Sequence, residues 1–141
     1  MRVLVTGAKG FVGKNLCCAL KSIRDGKDRR EKYAGLLPLE VMEYDVDSTP
    51  GELDGYCSRA DFVFNLAGVN RPKDQSEFME GNFGFASTLL DALERHGNTC
   101  PVMLSSSAQA SLSGRFEGSA YGESKLAGEG LFREYSKRTG A

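Results

Sequence analysis

The stretch VTGAKGFVGKN, residues 5–15, constrains the fold more than any other part of the chain. It follows an apolar, β-branched run at residues 1–6, which reads as a buried strand. Beyond it, Leu16, Ala19, Leu20 and Ile23 fall on one helical face of residues 13–24. Strand, glycine turn and helix in that order suit a phosphate-holding loop of one of two kinds, or a tight turn that binds nothing. The loop of nucleotide hydrolases needs G-x-x-x-x-G-K-[ST], whose hydroxyl binds magnesium. The best such register, residues 8–15, lacks the first glycine, and Asn15 offers no hydroxyl. The register Gly7-x-x-Gly10-x-x-Gly13 suits a dinucleotide instead. Gly7 permits the tight turn, Gly10 lets backbone approach a pyrophosphate, and Gly13 lets helix and strand pack closely. The helix N-terminus then presents unpaired N–H groups and a partial positive charge.

The remaining chain continues the alternation. Residues 36–45 contain a second strand, 60–68 a third that runs into a glycine turn, and 99–105 a fourth. Residues 78–96 read as a long helix closed by Gly97, and 120–138 as a final helix. Residues 50–59 read as a linker or short helix. Residues 71–77 and 106–118 read as loops, and the charged run 25–32 as a solvated helix end or loop. Phe78, Phe83 and Phe85 are expected in the core, and His96 as a surface cap. The pattern predicts an α/β fold, a doubly wound, mostly parallel sheet with helices on both sides, in one domain over residues 1–141.

Charge and cysteine content exclude several classes. The formal net charge is −1, so no global basic field favours nucleic acid. No apolar run approaches the roughly 20 residues of a membrane span, and no secretory signal is evident, which leaves the cytoplasm as the expected location. Cys17, Cys18, Cys57 and Cys100 make no Cys-x-x-Cys pair, and there is one histidine. The expectation is reduced thiols and no metal site.

Two further positions carry chemistry. The end of the second strand meets the adenine ribose in a dinucleotide fold, and an acidic residue there favours the free 2′-hydroxyl of NAD. Glu43 and Asp45 are the candidates, while Lys9, Arg29 or Arg30 could meet the 2′-phosphate of NADP. Tyr121 and Lys125 stand four apart at the start of the last helix and so share a face. A cation beside a phenol favours phenolate, which suits proton exchange with a substrate hydroxyl or carbonyl. The serines of Leu104-Ser-Ser-Ser107 fall at the mouth of the fourth strand, where a hydroxyl faces the ligand crevice and could hydrogen-bond the reacting oxygen, or where they form a satisfied turn.

Together, VTGAKGFVGKN, NLAG (65–68), LSSS (104–107) and YGESK (121–125) resemble the extended short-chain dehydrogenase/reductases, the NAD-dependent epimerase/dehydratase group. GAKGFVGKNL, ADFVFNLAGVNRP, LSSSAQA and YGESKLAGE resemble more narrowly the N-terminal reductase domain of the capsular polysaccharide synthesis enzymes of CapF type. The resemblance implies a Rossmann fold in which Tyr121 is the proton donor, Lys125 binds the nicotinamide ribose and tunes the phenol, and Ser107, or less readily Ser106, orients the substrate oxygen. It implies that Gly7, Gly10 and Gly13 cradle the pyrophosphate, that Phe11 and Val12 line the cleft, and that Leu66, Ala67 and Gly68 pass beside the adenosine and ribose. Asn82 matches a position that supports the active-site helix or a water.

CapF-type enzymes reduce a 4-keto UDP-sugar with NADPH on the way to UDP-N-acetyl-L-fucosamine and carry a C-terminal metal-binding cupin. This chain shows no cupin, so the expectation is a partial reductase domain, truncated before the substrate-binding segment, from a protein that is a homodimer at full length. Its second strand ends in Glu43, Tyr44 and Asp45 where relatives tend to carry a basic residue, so NADPH is implied but NAD stays open. A nucleotide-sugar 4-epimerase, a 4,6-dehydratase and a non-catalytic dinucleotide-binding fragment are the alternatives.

Overall fold

A strand buried on both faces needs helices above and below it, and β1 (Arg2–Thr6) is such a strand: Val3 and Val5 face one layer and Leu4 the other. The computed structural model describes residues 1–69 and 72–141. Asn70 and Arg71 of the VNRP motif lie outside the described residues. β1 pairs in parallel with β2 (Glu40–Tyr44) on one side and β3 (Phe62–Asn65) on the other, and β4 (Val102–Leu104) extends the sheet beyond β3. The order β2-β1-β3-β4 is that of a Rossmann-type sheet.

One layer is α1 (Phe11–Arg24), whose Cys17, Leu20 and Ile23 pack on Val3 and Val5. The other is formed by α2 (Pro50–Cys57), α4 (Phe85–Arg95) and α5 (Ala120–Thr139). Their Leu53, Leu89, Leu93 and Tyr135 meet Leu4, Met42 and Val63 of the sheet. Cys57 and Cys100 lie inside this second layer, where burial pushes their thiols up to about 12 and about 11. Such thiols act as small apolar groups, and all four cysteines are free. None of the described helices is long and apolar enough to cross a membrane.

The structure refines several local expectations. Of the two readings of residues 50–59, linker or short helix, it shows the helix, α2 over Pro50–Cys57, started by a capping box: Thr49 Oγ1 accepts from Glu52 N, and Glu52 Oε2 accepts from Thr49 N, with Pro50 at the first position. The fourth strand is shorter than 99–105, because Pro101 has no N–H to give and Cys100 N donates to Asn98 Oδ1. The long helix begins in the segment expected to be loop, as α3 (Ser76–Phe78), with Asp74 Oδ1 accepting from Ser76 N. It then passes through a π-helical turn, Met79–Gly84, before α4. His96 caps α4, its Nε2 3.0 Å from Asp54 Oδ2, and Gly97 follows at φ +61°. The loop 106–118 holds two 3₁₀ turns, Ala108–Ser111 and Gly114–Phe116.

Candidate active site

Because β1 has β2 on one side and β3 on the other, the connections diverge there, and a crevice opens at the carboxyl ends of the strands. It has a volume of about 460 Å³. Its walls are backbone set against backbone. Gly7 turns in the left-handed region at φ +67°, and a Cβ on it would stand 2.7 Å from Ala67 N. Below, the buried Thr6 Oγ1 donates to Asn65 Oδ1 at 2.6 Å and accepts from Ala67 N at 3.3 Å, joining the ends of β1 and β3. The Asn65 of NLAG is therefore a brace beneath the crevice, and Leu66, Ala67 and Gly68 pass along it.

The glycine loop delivers the N-terminus of α1 to this crevice. α1 has Gly10 as its N-cap, no side-chain cap hydrogen bond and no acidic residue in its first turn. In contrast, Thr49 caps α2 and Ser119 caps α5. The first N–H groups of a helix lack intrahelical partners, and the helix dipole adds positive potential. An uncapped N-terminus at a glycine turn therefore fits a pyrophosphate. Phe11 and Val12 line the same mouth, 86% and 60% exposed. Apolar side chains so exposed suit a flat organic ring.

At the end of β2 the two acidic candidates separate. Asp45 lines the crevice, its Oδ2 accepting from Lys9 N at 2.7 Å and its Oδ1 from Val46 N at 2.8 Å. Glu43 points the other way and pairs with Lys21 of α1. The Lys9 ammonium pairs with Asp47, which raises its proton affinity. Arg29 donates to Gly26 O and Arg30 pairs with Asp28, both away from this crevice.

The opposite end holds Tyr121 and Lys125 of α5. The Lys125 side chain is nearly buried; its Nζ donates to Ser105 O at 3.2 Å and lies 5.6 Å from the Tyr121 ring centroid. Burial holds its proton affinity below the usual lysine range. Phe78 meets the Tyr121 ring edge-on at 5.4 Å. A Cβ on Gly68 would stand 2.6 Å from Asn82 Oδ1 and 3.3 Å from Lys125 Nζ, so only a bare backbone passes between them.

Neither Asn82 nor Ser107 lines the crevice itself. From the π turn, Asn82 Oδ1 accepts from Val69 N at 2.9 Å and Nδ2 donates to Ser124 Oγ at 3.0 Å. Ser124 Oγ in turn donates to Tyr121 O at 2.8 Å, tying the β3 exit to the Tyr121 helix. Ser107 Oγ accepts from Gln109 N at 3.2 Å, and Ser106 Oγ donates to Glu129. Of the three serines, Ser105 is the one that lines the crevice. Sequence reasoning also missed Tyr44, Val46, Val69 and Phe85, which line it as well. Position was the available signal for Tyr44 and Val46, since both flank Asp45. Phe85 packs against the core as expected and also stacks on Tyr44 at 5.7 Å and reaches the crevice.

The model of a family described as the NAD dependent epimerase/dehydratase family matches residues 3–141. The chain belongs to that family. It is 39% identical over 129 residues to a UDP-2-acetamido-2,6-beta-L-arabino-hexul-4-ose reductase of Pseudomonas aeruginosa, covering 92% of this chain and 30% of that protein. It superposes with a TM-score of 0.73 and 38% identity on the capsular polysaccharide assembling protein CapF from Staphylococcus aureus, covering 99% of this chain and 33% of that one. RMD from Pseudomonas aeruginosa, complexed with NADPH, aligns with a TM-score of 0.71 at 23% identity over 99% of this chain and 51% of that chain, a likeness of fold alone. The chain therefore spans about a third of the length of its reductase and CapF relatives.

Proposed function

We propose that this chain is the dinucleotide-binding part of an NAD(P)H-dependent reductase of a 4-keto UDP-sugar, serving capsular or surface polysaccharide precursor synthesis in the cytoplasm by way of UDP-N-acetyl-L-fucosamine. The observation that carries the reading is that Tyr121 and Lys125 line the same crevice as the uncapped glycine turn, at its opposite end. Identity to a hexul-4-ose reductase supports the substrate class. One domain over residues 1–141 holds the dinucleotide, and a homodimer is the expected assembly of the whole protein.

The residues present fit a nicotinamide dinucleotide. The N–H groups of Phe11, Val12 and Gly13 would hold the pyrophosphate, Asp45 would take the adenosine ribose hydroxyls, and Leu66 to Gly68 would form the floor. Bound reduced nicotinamide supplies the hydride. Lys125, held by Ser105 O, would bind the adjoining ribose and sets a positive charge beside the Tyr121 ring. Tyr121 would give its proton to the oxygen of the substrate carbonyl. Ser107 orients that oxygen, and Asn82 holds the helix that carries Tyr121.

Steady oxidation of added NADH or NADPH by a 4-keto UDP-sugar tests the reading. A 4-epimerase or 4,6-dehydratase, which retains its cofactor, would consume none, and a binding module would bind dinucleotide without turnover.

A further inference from the structure

The motif LSSSAQA also contains Gln109, which the chemistry above leaves without a task. It touches both halves of the site. Gln109 N donates to Ser107 Oγ at 3.2 Å. Gln109 Oε1 accepts from Ser119 Oγ at 2.9 Å, and Ser119 Oγ accepts from Gly122 N at 3.0 Å, which caps α5 just ahead of Tyr121. A hydroxyl has a single proton. Giving it to Gln109 leaves the Ser119 lone pairs aimed at the helix N–H, so Gln109 also orients the cap.

The backbone closes the same joint. A Cβ on Gly122 would stand 2.3 Å from Gln109 O and 3.0 Å from Leu112 Cδ2. Leu112 ends the 3₁₀ turn in the left-handed region at φ +51°. That conformation is uncommon for a bulky residue and persists where its surroundings over-determine it. The turn after Ser107 is thus seated on the first turn of α5 by a side chain, a carbonyl and a leucine. Neither Gln109 nor Ser119 lines the crevice, so their effect reaches it through these bonds.

We propose that Gln109 is a positioning residue: it fastens the Ser107 turn to the start of α5 and so sets where the Ser107 hydroxyl stands relative to the Tyr121 phenol. The proposal rests on the reading that these two hydroxyls serve one carbonyl oxygen.

The test uses 3-fluorotyrosine at position 121, whose ¹⁹F resonance reports the surroundings of the phenol. The same label at position 135, about 21 Å further along α5 by helical rise and buried in the core, is the control. Gln109→Met keeps the length but removes the acceptor; it shifts the resonance at 121, leaves that at 135 in place and leaves the dissociation constant of NADH unchanged. Gln109→Glu, which keeps an acceptor oxygen, returns the signal toward its parent position. Ser119→Gly keeps a competent N-cap residue without the hydroxyl and reproduces the Gln109→Met shift. An unmoved 121 signal in either disrupting variant, an equal shift at 135, or no return in Gln109→Glu overturns the proposal. Tyr121 would show these shifts even if it took no part in reduction, so a failure of the chemical reading shows separately, as unchanged turnover in Tyr121→Phe.

Discussion

The carbonyl oxygen of Gly7 occupies the space that a side chain on Gly13 would need: a Cβ there would stand 2.1 Å from it. The obstacle is backbone, so no flexible group can give way. Gly13→Ala should destabilise the chain by about 1–3 kcal/mol, the cost of overpacking, and disrupt dinucleotide binding with it. Gly55 in α2 meets nothing within 4 Å, so Gly55→Ala should stabilise by about 0.4–1 kcal/mol. Thermal melts of both variants check this, and a Gly13→Ala protein that melts with the parent contradicts the packing.

Tyr121→Phe removes one hydroxyl from a ring already packed against Phe78. Reduction should fall by roughly 100- to 10,000-fold, the worth of general acid catalysis, while NADH or NADPH affinity stays at the parent value. Single-turnover rates and fluorescence titration separate the two effects, and undiminished turnover would remove Tyr121 from its role.

Asp45 places a carboxylate at the mouth where a ribose is expected, and the Lys9 ammonium is paired with Asp47. A 2′-phosphate there would meet like charge, so the chain should bind NADH more tightly than NADPH. Asp45→Ser should narrow that difference about tenfold, a change of about 1.4 kcal/mol. Equal affinities for both dinucleotides in the parent would contradict the assignment.

Lys125 is nearly buried, and burial lowers its proton affinity below that of the unfolded chain. Between the folded and unfolded values the unfolded chain binds more protons, so stability rises with pH through that window and the burial cost is full below it. Lys125→Met should therefore raise the Tm of the dinucleotide-free chain at neutral pH by about 2–4 °C, or about 1 kcal/mol. It should also flatten the rise in Tm at alkaline pH. A lower Tm at neutral pH would mean that the bond to Ser105 outweighs desolvation.

Asp61 accepts from Arg2 N, Nε and Nη2, and the Arg2 guanidinium holds its carboxyl down to about 2. A folded value below the unfolded one of about 3.9 contributes stability that is full above the unfolded value and lost as pH falls through the folded one. Both groups are substantially exposed, so the effect is small. Melting from pH 5 to pH 2 should show a shallower acid decline in Asp61→Asn than in the parent.

Local patterns reach far in this protein because their causes are local. The period of apolar residues in 1–6 and 13–24, and glycine at 7, 10 and 13, depend on neighbours a few residues away, so β1, the turn and α1 are legible without coordinates. The capping box of α2 is equally present in the sequence as Thr49-Pro-Gly-Glu52, and it favours the helix over the linker. The π turn at Met79–Gly84 was not legible. One extra residue in a helical turn leaves the amphipathic pattern almost unchanged, and what it serves, Asn82 against Val69 and Ser124, lies across the fold.

The sequence by itself therefore determined the sheet class, the register of the glycine loop and the shared face of Tyr121 and Lys125. Tertiary structure alone decided which acid faces the crevice, which serine lines it, and that Gln109 joins the Ser107 turn to the Tyr121 helix. Strand ends brought together by parallel pairing come from residues dozens apart, and no repeat along the chain encodes which of their side chains turns inward.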